Sequence, residues 1–438
     1  MQIFQIYAAA AGGLLALIII LQSLSALRDW LQEQLAPFVL RILVYPFFLG
    51  RHLILGPCTR FSVVVHALYW AATVFCILYK TSTASEISIR VGNLSLINAI
   101  PLYAAVHLSM LADALRMSLP NLRHVHGSVG LMTGALATAH VGLSATTGTK
   151  GLIDSPVQIF GLAVSPLLHV VWQRLILVQA IAALVLLLLL SIRPLRRPLY
   201  ELFLRSHQGL AIFFQYAAWR HTQGTKLPIR IWIYLSVAAF ASSALLQILQ
   251  LLYRNLSMSQ GSGRASLTKL RPKRSKDNYS GKDTLFIDIT VPRAWNVRAG
   301  QYVNLWMPFF SLRSMFQSHP YMIVYWTEGT SLSLCFLVEA QGGLTRKLFE
   351  RAYEVDSFQM KPGEERQIPL EHFHRAWLSG PHGHGAPVGE FGSVLMIATD
   401  IGIAAQLPYL KELISGFNHC QVRTRRIHLV WQVGCIGT

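Results

Sequence analysis

Charge is scarce in this sequence: Asp, Glu, Lys and Arg make up 13% of its 438 residues. An ordinary soluble domain carries about 25%. With a mean hydropathy of +0.42, the composition excludes a wholly soluble chain. Acidic residues are the scarcest class, 20 against 38 basic ones. The apolar half is nearly free of Asp and Glu, which excludes a carboxylate-bridged di-metal site there. The five cysteines (Cys58, Cys76, Cys335, Cys420 and Cys435) are scattered without a CxxC. That excludes a disulfide framework and a thiolate metal site, leaving packing roles. The net charge of +18 does not point to nucleic acid, because the basic residues gather in loops beside apolar runs. That is the pattern of cytoplasmic loops in a membrane protein.

The apolar content is concentrated before residue 255, and seven spans are expected at about 4–25, 62–80, 96–115, 126–146, 169–191, 205–221 and 229–252. The first lacks a basic leading segment and is too long for a signal peptide, so it reads as a true span. Basic residues fall mainly in 28–60, around Arg116 and Arg123, in 191–198 and after Arg254. Alternation puts these on the cytoplasmic side, with the N-terminus outside and the C-terminal portion inside. Asn93-Leu-Ser95 is then a sequon in an outer loop. The run Lys269–Lys276 reads as a basic juxtamembrane linker that can touch lipid headgroups.

Two histidine pairs share one interval: His126 and His140 are fourteen residues apart, as are His207 and His221. Fourteen helical steps bring each pair back to one face, about 21 Å apart along the axis. A hydrocarbon core is about 30 Å thick, so each helix offers one histidine towards each leaflet. Pairing by depth joins His126 to His207 on the inner side and His140 to His221 on the outer. Paired imidazoles at two levels suit two six-coordinate haems serving electron transfer. His124 faces elsewhere on its helix, and His66, His107 and His169 read as buried hydrogen-bonding residues.

Tyr200-Glu201 followed by His207, Trp219 and His221, together with His126, Gly130 and His140, resembles the ferric reductase transmembrane family. That family includes the fungal cell-surface metalloreductases and, more distantly, the NADPH oxidases. The resemblance implies that the four histidines bind the iron of two haem b groups.

Beyond Thr284 the pattern alternates, as in Leu285–Val291 and Tyr302–Trp306, and suggests a small antiparallel barrel. Within it Gly300-Gln301-Tyr302 resembles the GQY turn of flavin-binding reductases. His319-Pro320-Tyr321-Met322 resembles their flavin motif, with Met322 where many relatives have a hydroxyl. Gly343 and Thr345 resemble the glycine-rich turn that goes with it. An aromatic ring can pack on the isoalloxazine while bare backbone amides approach a pyrophosphate. In this order the motifs imply FAD.

Gly380-Pro381-His382-Gly383 resembles the family's GPYG turn. A strand at 392–398, a helix at 403–417 and a strand at 426–432 form one βαβ unit of a nicotinamide-binding domain. Gly402 stands at its phosphate-facing turn. The family usually has two glycines where this chain has Thr399-Asp400. A carboxylate there opposes an incoming phosphate, although Asp400 could serve as an N-cap. The chain stops at Gly434–Thr438, right after the second strand, and reads as a family member cut short.

The expected organisation is therefore a di-haem helical membrane bundle over 1–255, a basic linker over 256–280, an antiparallel FAD-binding barrel over 281–380 and a truncated α/β NADPH-binding domain over 381–438. By resemblance the activity is electron transfer from cytosolic NADPH through FAD and two haems b to ferric or cupric chelates outside, at the plasma membrane and in the service of iron transport. Membrane lipid and metal chelates are the partners implied. The alternatives are a superoxide-forming oxidase and a haem-binding membrane protein unable to use NADPH.

Overall fold

The computed structural model describes residues 3–23, 34–35, 37–50, 58–146, 166–196, 200–223, 227–257, 261–270, 283–308, 314, 317–327, 333–354 and 373–433. They form two compact units, Met1–Leu108 with Pro120–Ala244, and Ser109–Leu119 with Leu245–Thr438.

The first unit is helical: α1 (Ile3–Ser23), α2 (Arg60–Leu78), α3 (Ala84–Ala104), α5 (Leu119–Thr146), α6 (Pro166–Leu190), α7 (Tyr200–His221) and most of α8 (Leu227–Asn255). Thr59 caps α2 by accepting from the Ser62 amide at 3.3 Å, and Thr83 caps α3 by accepting from the Glu86 amide at 3.2 Å. Among the described residues four helices (α1, α2, α5 and α8) are long and apolar enough to cross a membrane, and a fifth span counts if α3 is joined with the short helix α4 (Leu108–Ala114). Of the seven expected spans, α7 falls short because Arg205, His207, Gln208, Gln215 and Arg220 lower its hydropathy. Much of α6 is described only as backbone.

The expected 96–115 span is placed differently. Its helix begins twelve residues earlier, at Ala84, and breaks after Ala104. Polar Arg90, Asn93 and Ser95 make 84–95 read as a loop, yet Asn93 and Ser95 are buried in the helix. Asn93 donates to the Ile89 carbonyl at 3.0 Å, so the sequon is not in a loop. Arg90 reaches back to the carbonyls of Cys76 and Tyr79.

The unit is apolar outside and partly polar inside. Leu14 is 59% and Leu68 65% exposed, which suits contact with lipid rather than water. Inside, Val91, Leu94 and Ile97 of α3 pack on Met132 and Leu136 of α5. Asn98 Oδ1 accepts from Tyr69 at 2.6 Å and Tyr7 at 3.4 Å, tying α1 and α2 to α3.

The second unit holds the larger sheets; the first has a short antiparallel pairing of Phe47–Leu49 with Cys58–Thr59. A six-stranded sheet has the order β7-β1-β2-β6-β5, with β8 also on β1: β1 is Arg264–Leu270, β2 Thr284–Thr290, β5 Tyr325–Trp326, β6 Ser333–Glu339, β7 Tyr353–Glu354 and β8 Phe373–Arg375. A three-stranded sheet has the order β9-β3-β4, from Trp377–His382, Tyr302–Trp306 and Ser318–Met322. Alternate residues of both sheets face one core, Leu267, Leu285, Ile287 and Ile289 from the larger and Val303, Leu305 and Leu378 from the smaller. The strands expected to make a single antiparallel barrel thus form two sheets, with one parallel pairing, β7 on β1. The expected linker over 256–280 is also corrected: Arg264–Leu270 is the strand β1, fully registered against β2. Its small and apolar residues Ala265 and Leu267 are buried, while 271–280 lies outside the described residues.

Last come β10 (Ser393–Thr399), α10 (Ile403–Asn418) and β11 (Arg426–Gln432), with the two strands parallel along seven residue pairs. Ile403 and Leu413 are buried, whereas Leu395 and Ile397 are each 63% exposed. Between β6 and β7 runs a short helix, α9 (Leu344–Arg351).

Candidate cofactor sites

Helices α5 and α7 bring the four histidines into two facing pairs. The rings of His126 and His207 have centroids 6.5 Å apart at 60°, and those of His140 and His221 are 6.3 Å apart at 72°. A metal–imidazole bond of about 2.0–2.1 Å, plus about 1.1 Å from nitrogen to ring centre, puts two rings about 6.3 Å apart across a shared ion. Both gaps match that span. The described residues contain no cluster of three or more His, Cys, Asp or Glu able to cage a metal. Each level offers two imidazoles only, the donor set that fits a porphyrin carrying its own four nitrogens.

The levels differ in what holds the rings. His140 donates from Nδ1 to the Ser88 carbonyl at 2.8 Å, which leaves Nε2 as its free nitrogen. Gly92 makes room for this, since a Cβ there would stand 3.0 Å from His140 Nδ1. His126 Nδ1 and His207 Nδ1 are buried with no hydrogen-bond partner among the described residues. Three of the four rings are half-buried, and His221 is exposed. Neither Ser88 nor Gly92 shows in the histidine spacing. His66 is engaged at both nitrogens, by the Ser62 carbonyl at 2.6 Å and by the Ser128 hydroxyl. His124 is exposed, and the His169 side chain lies outside the described residues.

The three-stranded sheet gathers the flavin-like motifs. On central β3, Tyr302 pairs with Met322 of β4, Asn304 with Pro320 and Leu305 with His319. On the other side Tyr302 pairs with His382 of β9. Gly300 enters β3 with φ +81°, and a Cβ there would strike the Tyr409 hydroxyl. Gln301 accepts from the Arg298 amide at 2.8 Å and donates to the Gly383 carbonyl at 3.2 Å. Tyr321 Oη and His319 Nε2 are buried without partners among the described residues, and burial pushes the Tyr321 phenol up to about 12. Tyr321 lies opposite Val303 and packs against the sheet core, and His319 lies opposite Leu305; an unpartnered phenol and imidazole are groups that a polar aromatic cofactor can satisfy.

Gly343, at φ +69°, precedes α9. The Thr345 hydroxyl is used within that turn, accepting from the Gln341 amide at 3.1 Å and donating to the Gly342 carbonyl at 3.2 Å. Gly380 and Gly383 take φ +140° and +90° on either side of Pro381 and His382. The Gly383 amide is already committed, donating at 2.8 Å to Asp113. Asp113 comes from sequence distant by 270 positions, and nothing in its local pattern marks it.

Gly402 caps α10 with ordinary helical geometry and no side-chain cap. Asp400 is not the N-cap. It opens a short 3-10 turn over Asp400–Gly402 at φ +45°, a left-handed conformation that glycine adopts most easily.

Both sets of residues, His221 apart, lie in stretches of a helical, membrane-type chain that match known family models. Residues 91–218 match the ferric reductase like transmembrane component and residues 270–386 match an FAD-binding domain. The two matches together reach into both units. The first match takes in His126, His140 and His207 and stops short of His221; the second takes in every flavin motif from Gly300 to Gly383. The chain is 25% identical over 224 residues to ferric/cupric reductase transmembrane component 2 of Saccharomyces cerevisiae, covering 51% of this chain and 27% of that one. It is 26% identical over 264 residues to a probable cell surface ferric reductase of Aspergillus oryzae, covering 58% and 31%. The chain therefore spans about a third or less of the length of these relatives. Ferredoxin-NADP+ reductase from Plasmodium falciparum overlaps 42% of this chain and 64% of its own, at 15% identity and a TM-score of 0.28, too partial a superposition to define a shared fold.

Proposed function

We propose that this chain is a transmembrane flavocytochrome of the metalloreductase type, reducing ferric or cupric chelates outside the membrane with electrons from cytosolic NADPH. The observation that carries the reading is the pair of imidazole gaps, 6.5 and 6.3 Å, each wide enough for one shared iron and stacked along the same two helices. His126 and His207 hold the inner haem b in this reading, and His140 and His221 the outer one. The Ser88 carbonyl fixes the tautomer of His140. In this reading the seven spans expected from the sequence leave the second unit in the cytoplasm, with the plasma membrane as the site of action.

A flavin held by the β3 and β4 motifs would supply the conversion of a hydride donor's two electrons into single ones, and haem iron held by His126 with His207 and His140 with His221 would supply one-electron relay. The protein's part is to hold and to exclude. Tyr321 and His319 offer their unpartnered polar atoms to the flavin, and Gly300 keeps the turn before β3 bare of side chain. Gly380, Pro381 and Gly383 shape the adjoining turn, and Gly343 with Thr345 the one before α9. The Asp400–Gly402 turn is the NADPH phosphate position. The basic balance of the sequence flanks its spans, and lipid is the partner that it meets.

Membranes carrying the chain should reduce ferric and cupric chelates with NADPH, at a rate that superoxide dismutase leaves unchanged. A rate abolished by the dismutase would mark an oxidase instead. Haem reducible by dithionite but not by NADPH would refute the reductase reading.

A further inference from the structure

The short helix α4 belongs in sequence to the connection between α3 and α5, yet it packs within the second unit. Its Asp113 uses both carboxylate oxygens there. Oδ2 accepts from Nδ1 of His382 at 2.6 Å, and Oδ1 accepts from the Gly383 amide at 2.8 Å. One turn earlier, Ser109 Oγ accepts from the Tyr302 hydroxyl at 2.9 Å. The His382 side chain is 2% exposed and that of Asp113 30%. The Nε2 atom of His382 shares a hydrogen bond with Ser379 Oγ at 3.0 Å, and Gln247 donates to the same hydroxyl at 3.0 Å. The imidazole is therefore held at both nitrogens, with the Tyr302 ring at 5.6 Å.

A carboxylate that grips an imidazole and a backbone amide together fixes the turn bearing both, because charge-assisted bonds are stronger and more directional than neutral ones. The turn in question is Gly380–Gly383, and the hydroxyl that Ser109 holds belongs to the central strand of the same sheet. We propose that Asp113 and Ser109 are positioning residues of the flavin site, acting through His382, Gly383 and Tyr302, and that α4 is a strap without which this turn loses its cofactor-binding shape. The inference rests on the flavin reading above.

The test uses the full chain in detergent or native membranes, comparing wild type with Asp113→Ala, Asp113→Asn, Asp113→Glu and Ser109→Ala. FAD affinity, amide hydrogen exchange over 379–386 and haem absorbance per chain are read together. Losing a charged partner weakens FAD binding about tenfold in Asp113→Ala and less in Ser109→Ala. Exchange at Gly383 accelerates in Asp113→Ala, Asp113→Glu recovers part of the affinity, and haem content stays at the wild-type level. Wild-type FAD affinity and unchanged exchange in Asp113→Ala would overturn the proposal. So would joint loss of flavin and haem in both Asp113→Ala and Asp113→Asn, which would mark a general folding defect. If the wild-type chain binds no FAD, the flavin reading fails on its own, and unchanged exchange at Gly383 still decides against the strap.

Discussion

His140 and Ser88 are joined across two helices: the imidazole Nδ1 donates to the Ser88 carbonyl at 2.8 Å, one turn before Gly92 lets the ring lie against α3. Orientation of one imidazole thus depends on a residue with no side chain. Gly92→Val should displace the His140 ring, because even a Cβ there meets Nδ1 at 3.0 Å. Haem per chain should fall by about half in this variant, with the remaining haem keeping a bis-histidine spectrum. Undiminished haem in Gly92→Val would show that α3 does not set the outer site.

Asp400 sits at φ +45° in the turn that would receive an NADPH phosphate. Asp400→Gly should relieve about 1 kcal/mol of backbone strain and remove a negative charge from the approach. The KM for NADPH should fall in steady-state assays on membranes, and Asp400→Ala should improve it less. An unaltered KM in Asp400→Gly would remove this turn from the NADPH site.

Asn255, 1% exposed, binds both sides of Leu378, accepting from its amide at 2.7 Å and donating to its carbonyl at 2.8 Å. Asn255→Ala should cost about 1–3 kcal/mol, the penalty for buried backbone groups left unpaired. Denaturant unfolding followed by tryptophan fluorescence of the second unit would measure it.

The Tyr321 phenol, raised by burial, sets a pH dependence of one sign. Its unfolded form ionises near pH 10, and its folded form at about 12. Stability from this group is therefore whole below about pH 10 and is lost as pH climbs towards 12, because the unfolded chain gives up its proton first. Unfolding midpoints should decline over that window in the wild type and decline less in Tyr321→Phe. Parallel curves would contradict the assignment.

Much of this architecture can be read from the residues. Periodicity places β2, β3, β10, α10 and β11 close to their observed bounds, since short alternating strands and a well-marked helix are local features. The histidine interval is equally local, and the rings that it sets on α5 and α7 do face one another. Non-local relations are what escaped. Arg90 and Asn93 hide the first half of α3 because the Arg90 guanidinium and the Asn93 amide nitrogen donate to carbonyls at the end of α2 and within α3 itself. The strand β1 is hidden because it leads directly into the basic run that starts at Lys269, and its register depends on β2. Asp113 is invisible for the same reason, its partners lying 269 and 270 positions away. Asp400 occupies a left-handed position that hydropathy does not encode.

Haem quantification on the purified chain bears most directly on the two-level histidine arrangement. Pyridine haemochrome and low-temperature spectra of the wild type should give two haems b per chain. His126→Ala and His207→Ala should each retain one haem with the same spectrum as the other, and His140→Ala and His221→Ala should retain the complementary one. Wild-type haem content in any of these four variants, or loss that does not follow the His126/His207 and His140/His221 pairing, would contradict the account.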